Sequence, residues 1–210
     1  MQNFILKKKQ LCDLTSNCPA TLITFEKYTS SIKEPGIKES ILDAALFAAK
    51  AHFGQKRNYC SQTAFMVHPM SVSYILWDEG KIEQKDLLVA AMLHDTLEDT
   101  PVSRHDIYDN FGQNILTLVE ELTEKPKPSL HEELMHAFKM SHEAKIIKLA
   151  DRTHNIRDLI DHPPITWDHK KLDGFITKNT KLLNYLQGTH EQLEEAFQKV
   201  INQLQTVLNP

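Results

Sequence analysis

Apolar positions recur at helical spacing over most of this chain. Ile41, Ala44, Ala45, Ala48, Ala49 and His52 fall on one stripe, which predicts a helix over 38–52 that Gly54 ends. Residues 54–67, GQKRNYCSQTAFMV, break the pattern and read as a loop. His68-Pro69 opens the next helix, with Pro at the first helical position, where its missing N–H costs nothing. Val72, Ile75 and Leu76 give that helix an apolar face, and Gly80 stops it. A helix over 84–97 carries Leu87, Leu88, Ala90, Ala91, Leu93 and Leu97 and is apolar almost all round, the pattern of a buried helix. Ser103-x-x-Asp106 starts a helix through Phe111, and 113–122 form another. Lys125-Pro126-Lys127-Pro128 is a breaker. Helices follow over 130–140 and 142–160, the second ended by His162-Pro163-Pro164. Two more fit about 166–187 and 190–208, with Gly188 at the join and Thr189-x-x-Gln192 as a capping box. Residues 1–36 show no sustained period and read as irregular, with a short element around Leu22–Tyr28. The prediction is an all-α bundle in one domain over 37–210, preceded by an N-terminal extension over 1–36.

Composition narrows the partners. The 210 residues carry a net charge of −4 with His neutral, which argues against a nucleic-acid partner yet leaves room for a local basic pocket that takes a phosphorylated small molecule. The three Cys, an odd number, do not form a disulfide framework, and Cys12 and Cys18 lack His partners at zinc spacing. The N-terminal apolar run is too short for a signal-peptide core, and no stretch is long enough to cross a membrane. These features predict a cytoplasmic protein without a membrane partner, and they leave the oligomeric state open.

The chemistry concentrates in Ala90–Thr100, AAMLHDTLEDT. His94 and Asp95 are followed one turn later by Glu98 and Asp99, so on a continuous helix all four share a face. Such a cluster needs a positive charge, and a divalent cation is the simplest one. His68, at a helix start, is a candidate partner. In KLADRTHNIRDL, residues 148–159, Asp151, Asn155 and Asp158 share one face while Leu149, Ile156 and Leu159 serve the core. Two His and two Asp from three helices make a mixed nitrogen and oxygen set that suits Mn²⁺, Fe²⁺, Zn²⁺ or Mg²⁺. Taken singly, His68 reads as a helix-cap histidine, Asp151 as a salt-bridged carboxylate, Glu98 and Asp99 as a solvated helix end and Arg57 as a surface charge. Together they would have to mimic four ordered motifs by accident. His154 adjoins the site face and is a candidate support for a ligand. The other histidines read as surface or core residues.

AHFGQKR at 51–57, the HP pair at 68–69, HDTLEDT at 94–100 and KLADRTHN at 148–155 resemble the hydrolase domain of the RelA/SpoT family. His68, His94-Asp95 and Asp151 match the signature of HD-domain metal-dependent phosphohydrolases. With no synthetase domain following, the chain is similar to the small alarmone hydrolases. The resemblance implies an HD-type helical bundle and Mn²⁺-dependent removal of pyrophosphate from the 3′ position of (p)ppGpp, leaving GDP or GTP. It implies one Mn²⁺ held by His68, His94, Asp95 and Asp151, with water positioned and activated by Glu98 and Asp99. Arg57 and Asn155 would contact the nucleoside, with Asp158 a polar group near it. The chain departs from the pattern at three places. The segment between Arg57 and His68 is longer and carries Ala64-Phe65 where Pro-Tyr is usual, Asn58 stands where a basic residue often follows the Arg, and LHEELMHAFK is poor in Lys and Arg. These departures place substrate choice in the Arg57–His68 segment. They keep open the same chemistry on (p)ppApp or on the 2′-phosphate of NADPH. A non-catalytic nucleotide-binding module is a further alternative, against which the Glu98-Asp99 pair argues.

Overall fold

The computed structural model describes residues 2–15, 19–57, 60–163 and 167–208. The elements run α1 (Gln2–Leu14), α2 (Pro19–Ser31), α3 (Pro35–Ala51), β1 (Lys56–Arg57), β2 (Cys60–Ala64), α4 (Val67–Asp78), α5 (Lys85–Leu93), α6 (Thr96–Asp99), α7 (Arg104–Phe111), α8 (Gln113–Leu122), α9 (Leu130–Lys139), α10 (His142–Asp161), α11 (His169–Leu186) and α12 (Glu191–Leu208). The fold is all-α, as the periodicity predicts. α10 is the central element and packs on α4, α5, α8 and α12, while α5 packs on α3, α4 and α8. Ile147, Leu149, Ala150 and Ile156 of α10 and Leu88, Ala90, Ala91 and Leu93 of α5 are fully buried in one core.

Local chemistry sets the boundaries. Ser103 and Asp106 cap α7 reciprocally, through Asp106 N–H to Ser103 Oγ at 3.2 Å and Ser103 N–H to Asp106 Oδ2 at 2.8 Å. Ser129 and Glu132 do the same for α9, and Ser141 Oγ accepts from Ala144 N–H at the start of α10. The reversal between α11 and α12 uses Gly188 at φ +77°, a backbone state that costs glycine little.

Five expectations are corrected. The described residues of the 1–36 segment are not irregular: α1 and α2 form there, with Leu11, Phe25, Tyr28 and Ile32 buried in the main core. Residues 54–67 hold the antiparallel pair β1–β2 before α4, not a plain loop. α4 begins at Val67, so Pro69 is its third residue, still among the N–H groups that lack an intrahelical partner. The Pro-first arrangement appears instead at α3, where the Glu34 carboxylate accepts from the N–H groups of Gly36 and Ile37. The helix over 84–97 is interrupted at His94-Asp95: His94 Nδ1 bonds Ala91 O at 2.8 Å and Thr96 Oγ1 bonds Leu93 O at 2.6 Å, competing with the helical ladder. At α12 the capping carboxylate is Glu194, which accepts from Thr189 and His190 N–H, rather than Gln192. Cys12 is a free thiol. The readings of Cys18, Asn58 and Pro164 lie outside the described residues.

Candidate metal centre and active site

The break between α5 and α6 aims His94 and Asp95 into the core rather than along a helix face. α4 brings His68 to the same point and α10 brings Asp151. His68 Nε2 lies 3.2 Å from His94 Nε2 and 3.3 Å from Asp151 Oδ1, and His94 Nε2 lies 3.9 Å from Asp151 Oδ1. One donor atom from each of these three buried residues falls within 4.8 Å of the others. Asp95 closes the group, with Oδ1 3.1 Å from His94 Nε2 and Oδ2 3.6 Å from His68 Nε2. The four predicted ligands are therefore brought together.

The outer nitrogens say whether this set fits a cation. His94 Nδ1–H donates to Ala91 O, which frees Nε2 to act as a ligand. His68 Nδ1 lies 2.9 Å from His154 Nδ1, and with His68 Nδ1–H as the donor, His68 Nε2 is freed too. Burial holds His154 well below the usual histidine range, so it stands neutral with a lone pair to accept. The predicted support role of His154 thus has a geometry. Burial also pushes His94 down, but the Asp95 and Asp151 carboxylates outweigh it and raise His94 to about 9. Burial pushes Asp151 up, yet the Lys148 ammonium and the two imidazoles hold it well below the carboxylate range. Two facing imidazole nitrogens between two ionised carboxylates form a donor set that demands positive charge at its centre. The residues present fit a divalent ion of the Mn²⁺, Fe²⁺ or Zn²⁺ type.

Glu98 and Asp99 follow on α6 and are exposed. Glu98 Oε2 accepts from Glu124 N–H at 2.9 Å, and Asp99 O accepts from Gln55 Nε2 at 2.9 Å. Both carboxyls are raised, first by partial burial and, among the neighbouring charges, chiefly by Asp95. Repulsion between Glu98 and Asp99 themselves is at most a minor cause. Arg57 donates from Nε and Nη2 to Asp158 Oδ2 at 3.1 and 2.7 Å, and from Nη2 to Asn155 Oδ1 at 3.1 Å. Asn155 Nδ2 in turn donates to Asp151 Oδ1 at 2.5 Å. The three predicted substrate-binding residues therefore form one chain that ends on a predicted metal ligand.

His52 and Lys148 escaped the sequence reading, and Phe65 was placed only within the segment that sets substrate choice. Phe65 stacks on buried His52 at 4.5 Å between ring centroids and lies 5.6 Å from the Arg57 guanidinium. His52 Nδ1 and Gln55 Oε1 are 2.8 Å apart, so His52 holds the residue that bonds Asp99 O. Lys148 is buried beside Asp151. Lys148 precedes Asp151 by three residues on α10, so the face shared by Asp151, Asn155 and Asp158 already contained it. For Phe65 and His52 no spacing signal existed, because the fold of β1–β2 brings them together.

Comparison with known proteins agrees with this geometry. Residues 44–172 match the family model described as HD domain. The guanosine-3′,5′-bis(diphosphate) 3′-pyrophosphohydrolase MESH1 of Xenopus tropicalis is 37% identical over 158 residues, covering 73% of this chain and 88% of that protein. The human MESH1 is 36% identical over 167 residues, covering 78% and 93%. A solved structure described as a metazoan ortholog of SpoT that hydrolyzes ppGpp aligns with a TM-score of 0.74 at 32% identity, over 78% of this chain and 94% of that one. A buried HD cluster inside a matching helical scaffold, and matches that span nearly the whole of these relatives, place the chain in the HD-domain family alongside the MESH1 proteins.

Proposed function

We propose that this protein is a Mn²⁺-dependent hydrolase that cleaves the 3′-pyrophosphate from (p)ppGpp, giving GDP or GTP and pyrophosphate. The observation that carries the reading is the approach of His68 Nε2, His94 Nε2 and Asp151 Oδ1, beside Asp95 and with Glu98 and Asp99 on the short helix that follows. His68, His94, Asp95 and Asp151 would hold one ion per site. When bound, the ion lowers the pKa of water and offsets negative charge on the phosphoryl oxygens. Glu98 and Asp99 orient the attacking water and take its proton, and their raised proton affinity suits a base working nearer neutrality. The water oxygen bonds the phosphorus next to the 3′-oxygen, the P–O bond to that 3′-oxygen breaks, and the proton taken from the water passes to the 3′-oxygen, which leaves as a hydroxyl. Arg57 and Asn155 bind the nucleoside side of the substrate, with Asp158 holding the planar guanidinium in place. The Arg57–His68 segment, with Phe65 as one wall, sets substrate choice.

The partner is a nucleotide rather than a nucleic acid, in keeping with the net charge of −4. None of the described helices is long and apolar enough to cross a membrane, and we read the setting as cytoplasmic. The hydrolase unit is read as 37–210, with 1–36 as an added extension. The test is an assay with Mn²⁺ on ppGpp, ppApp and NADPH in parallel. The reading requires ppGpp to give the highest kcat/KM. Turnover of ppApp or NADPH alone would keep the metal chemistry and reassign the substrate. No turnover of any of the three, with Mn²⁺ bound, would reduce the protein to a nucleotide-binding module.

A further inference from the structure

We infer that Lys148 and Glu124 are a positioning pair that braces the metal ligand Asp151 against the water-handling residue Glu98; this rests on the metal reading above. Lys148 lies on α10, three residues before Asp151, and is buried at 8% exposure. A buried ammonium is costly unless it is paired. Its Nζ lies 2.7 Å from Glu124 Oε1 and 3.4 Å from Asp151 Oδ2.

The two Asp151 oxygens are thereby divided. Oδ2 faces Lys148, while Oδ1 faces His68 Nε2 at 3.3 Å and accepts from Asn155 Nδ2. Lys148 therefore fixes the carboxylate so that one defined oxygen looks into the cluster. Glu124, just past α8, serves both sides of the site. Its side chain accepts from Lys148, and its backbone N–H donates to Glu98 Oε2 at 2.9 Å. A single residue thus joins α10, which carries a ligand, to α6, which carries the water-handling pair. Because its ammonium is spent on two carboxylates, Lys148 acts through Asp151 rather than on the substrate.

Mn²⁺ alone is titrated into the apo full-length protein by calorimetry, in wild type, Lys148→Met, Lys148→Arg, Glu124→Gln and the double variant Lys148→Met/Glu124→Gln, with kcat and KM measured beside it. Losses of this kind run to about 10–100-fold in metal affinity. Lys148→Met and Glu124→Gln are expected to weaken Mn²⁺ binding at least tenfold and to lower kcat while KM stays within about threefold. Lys148→Arg should recover most of the affinity. The double variant should lose little more than the worse single variant, since the pair acts as one unit. If Lys148→Met does not fold, the Lys148→Arg and Glu124→Gln titrations decide the matter alone. Wild-type affinity in Glu124→Gln and Lys148→Met, with only thermal stability lowered, would overturn the inference. A KM rise without loss of Mn²⁺ affinity would reassign Lys148 to the substrate and also overturn it. Absence of Mn²⁺ binding in wild type would instead remove the metal reading itself.

Discussion

At the residue scale, the site is a division of labour among groups that differ little in kind. Asp95 and Asp151 face imidazole nitrogens, whereas Glu98 and Asp99 are exposed on α6 with raised proton affinity. Glu98→Gln removes a proton acceptor without touching a ligand. Its kcat should fall about 10²–10⁴-fold with Mn²⁺ affinity unchanged, measured by steady-state kinetics beside calorimetry; unchanged kcat would shift the role to Asp99. Glu124 gives a pH prediction. Burial pushes its carboxyl up, but the Lys148 ammonium outweighs this and lowers it. A lowered folded-state value means that its stabilisation is present above the unfolded value of about 4.3 and is lost as pH falls toward and through the folded one. Glu124→Gln should flatten that part of the acid-unfolding curve, as followed by circular dichroism. The grouping of His68, His94, Asp95 and Asp151 was legible because each sits in a short motif whose residue types have few alternative uses in combination. Lys148 was not, because a lysine on a helix reads as solvated until a neighbouring element is seen to cover it.

At the element scale, the long stripes on α3, α8 and α10 were readable because their apolar residues keep a helical period. The break between α5 and α6 was not. His94 and Thr96 divert backbone carbonyls with their own side chains, and residue type alone does not show which way a side chain bonds. The N-terminal helices were missed for a different reason. Phe25, Tyr28 and Ile32 do fall at helical spacing, but polar residues surround them and their partners lie far along the chain. Tyr28 shows what they add. Ser73 donates its single hydroxyl proton to Leu88 O at 2.9 Å, so Tyr28 Oη donates to Ser73 Oγ at 2.8 Å and ties α2 through α4 to α5. Tyr28→Phe should cost about 1 kcal/mol and lower Tm by about 2–4 °C, read by thermal denaturation. No shift would mean that α2 is held by apolar contact alone.

At the scale of the whole molecule, the helical scaffold gathers the cluster from separate elements. α4, α5 and α10 bury the imidazoles and Asp151, while β1, the turn after β2 and the segment after α8 carry Arg57, Phe65 and Glu124. The all-α class and the grouping of His68, His94, Asp95 and Asp151 followed from periodicity and motif. The surroundings of that group did not, because they depend on contacts such as Arg57 with Asp158 of α10, about a hundred residues apart in sequence. The central proposal is that this cluster uses a divalent ion to cut a 3′-phosphate ester. The most direct measurement is ³¹P NMR of ppGpp incubated with the full-length protein, with Mn²⁺ and then with excess chelator. Pyrophosphate and GDP should appear in equal amounts with Mn²⁺, and both should stop accumulating on chelation. Orthophosphate as the product, or pyrophosphate release that persists after the metal is removed, would contradict the account.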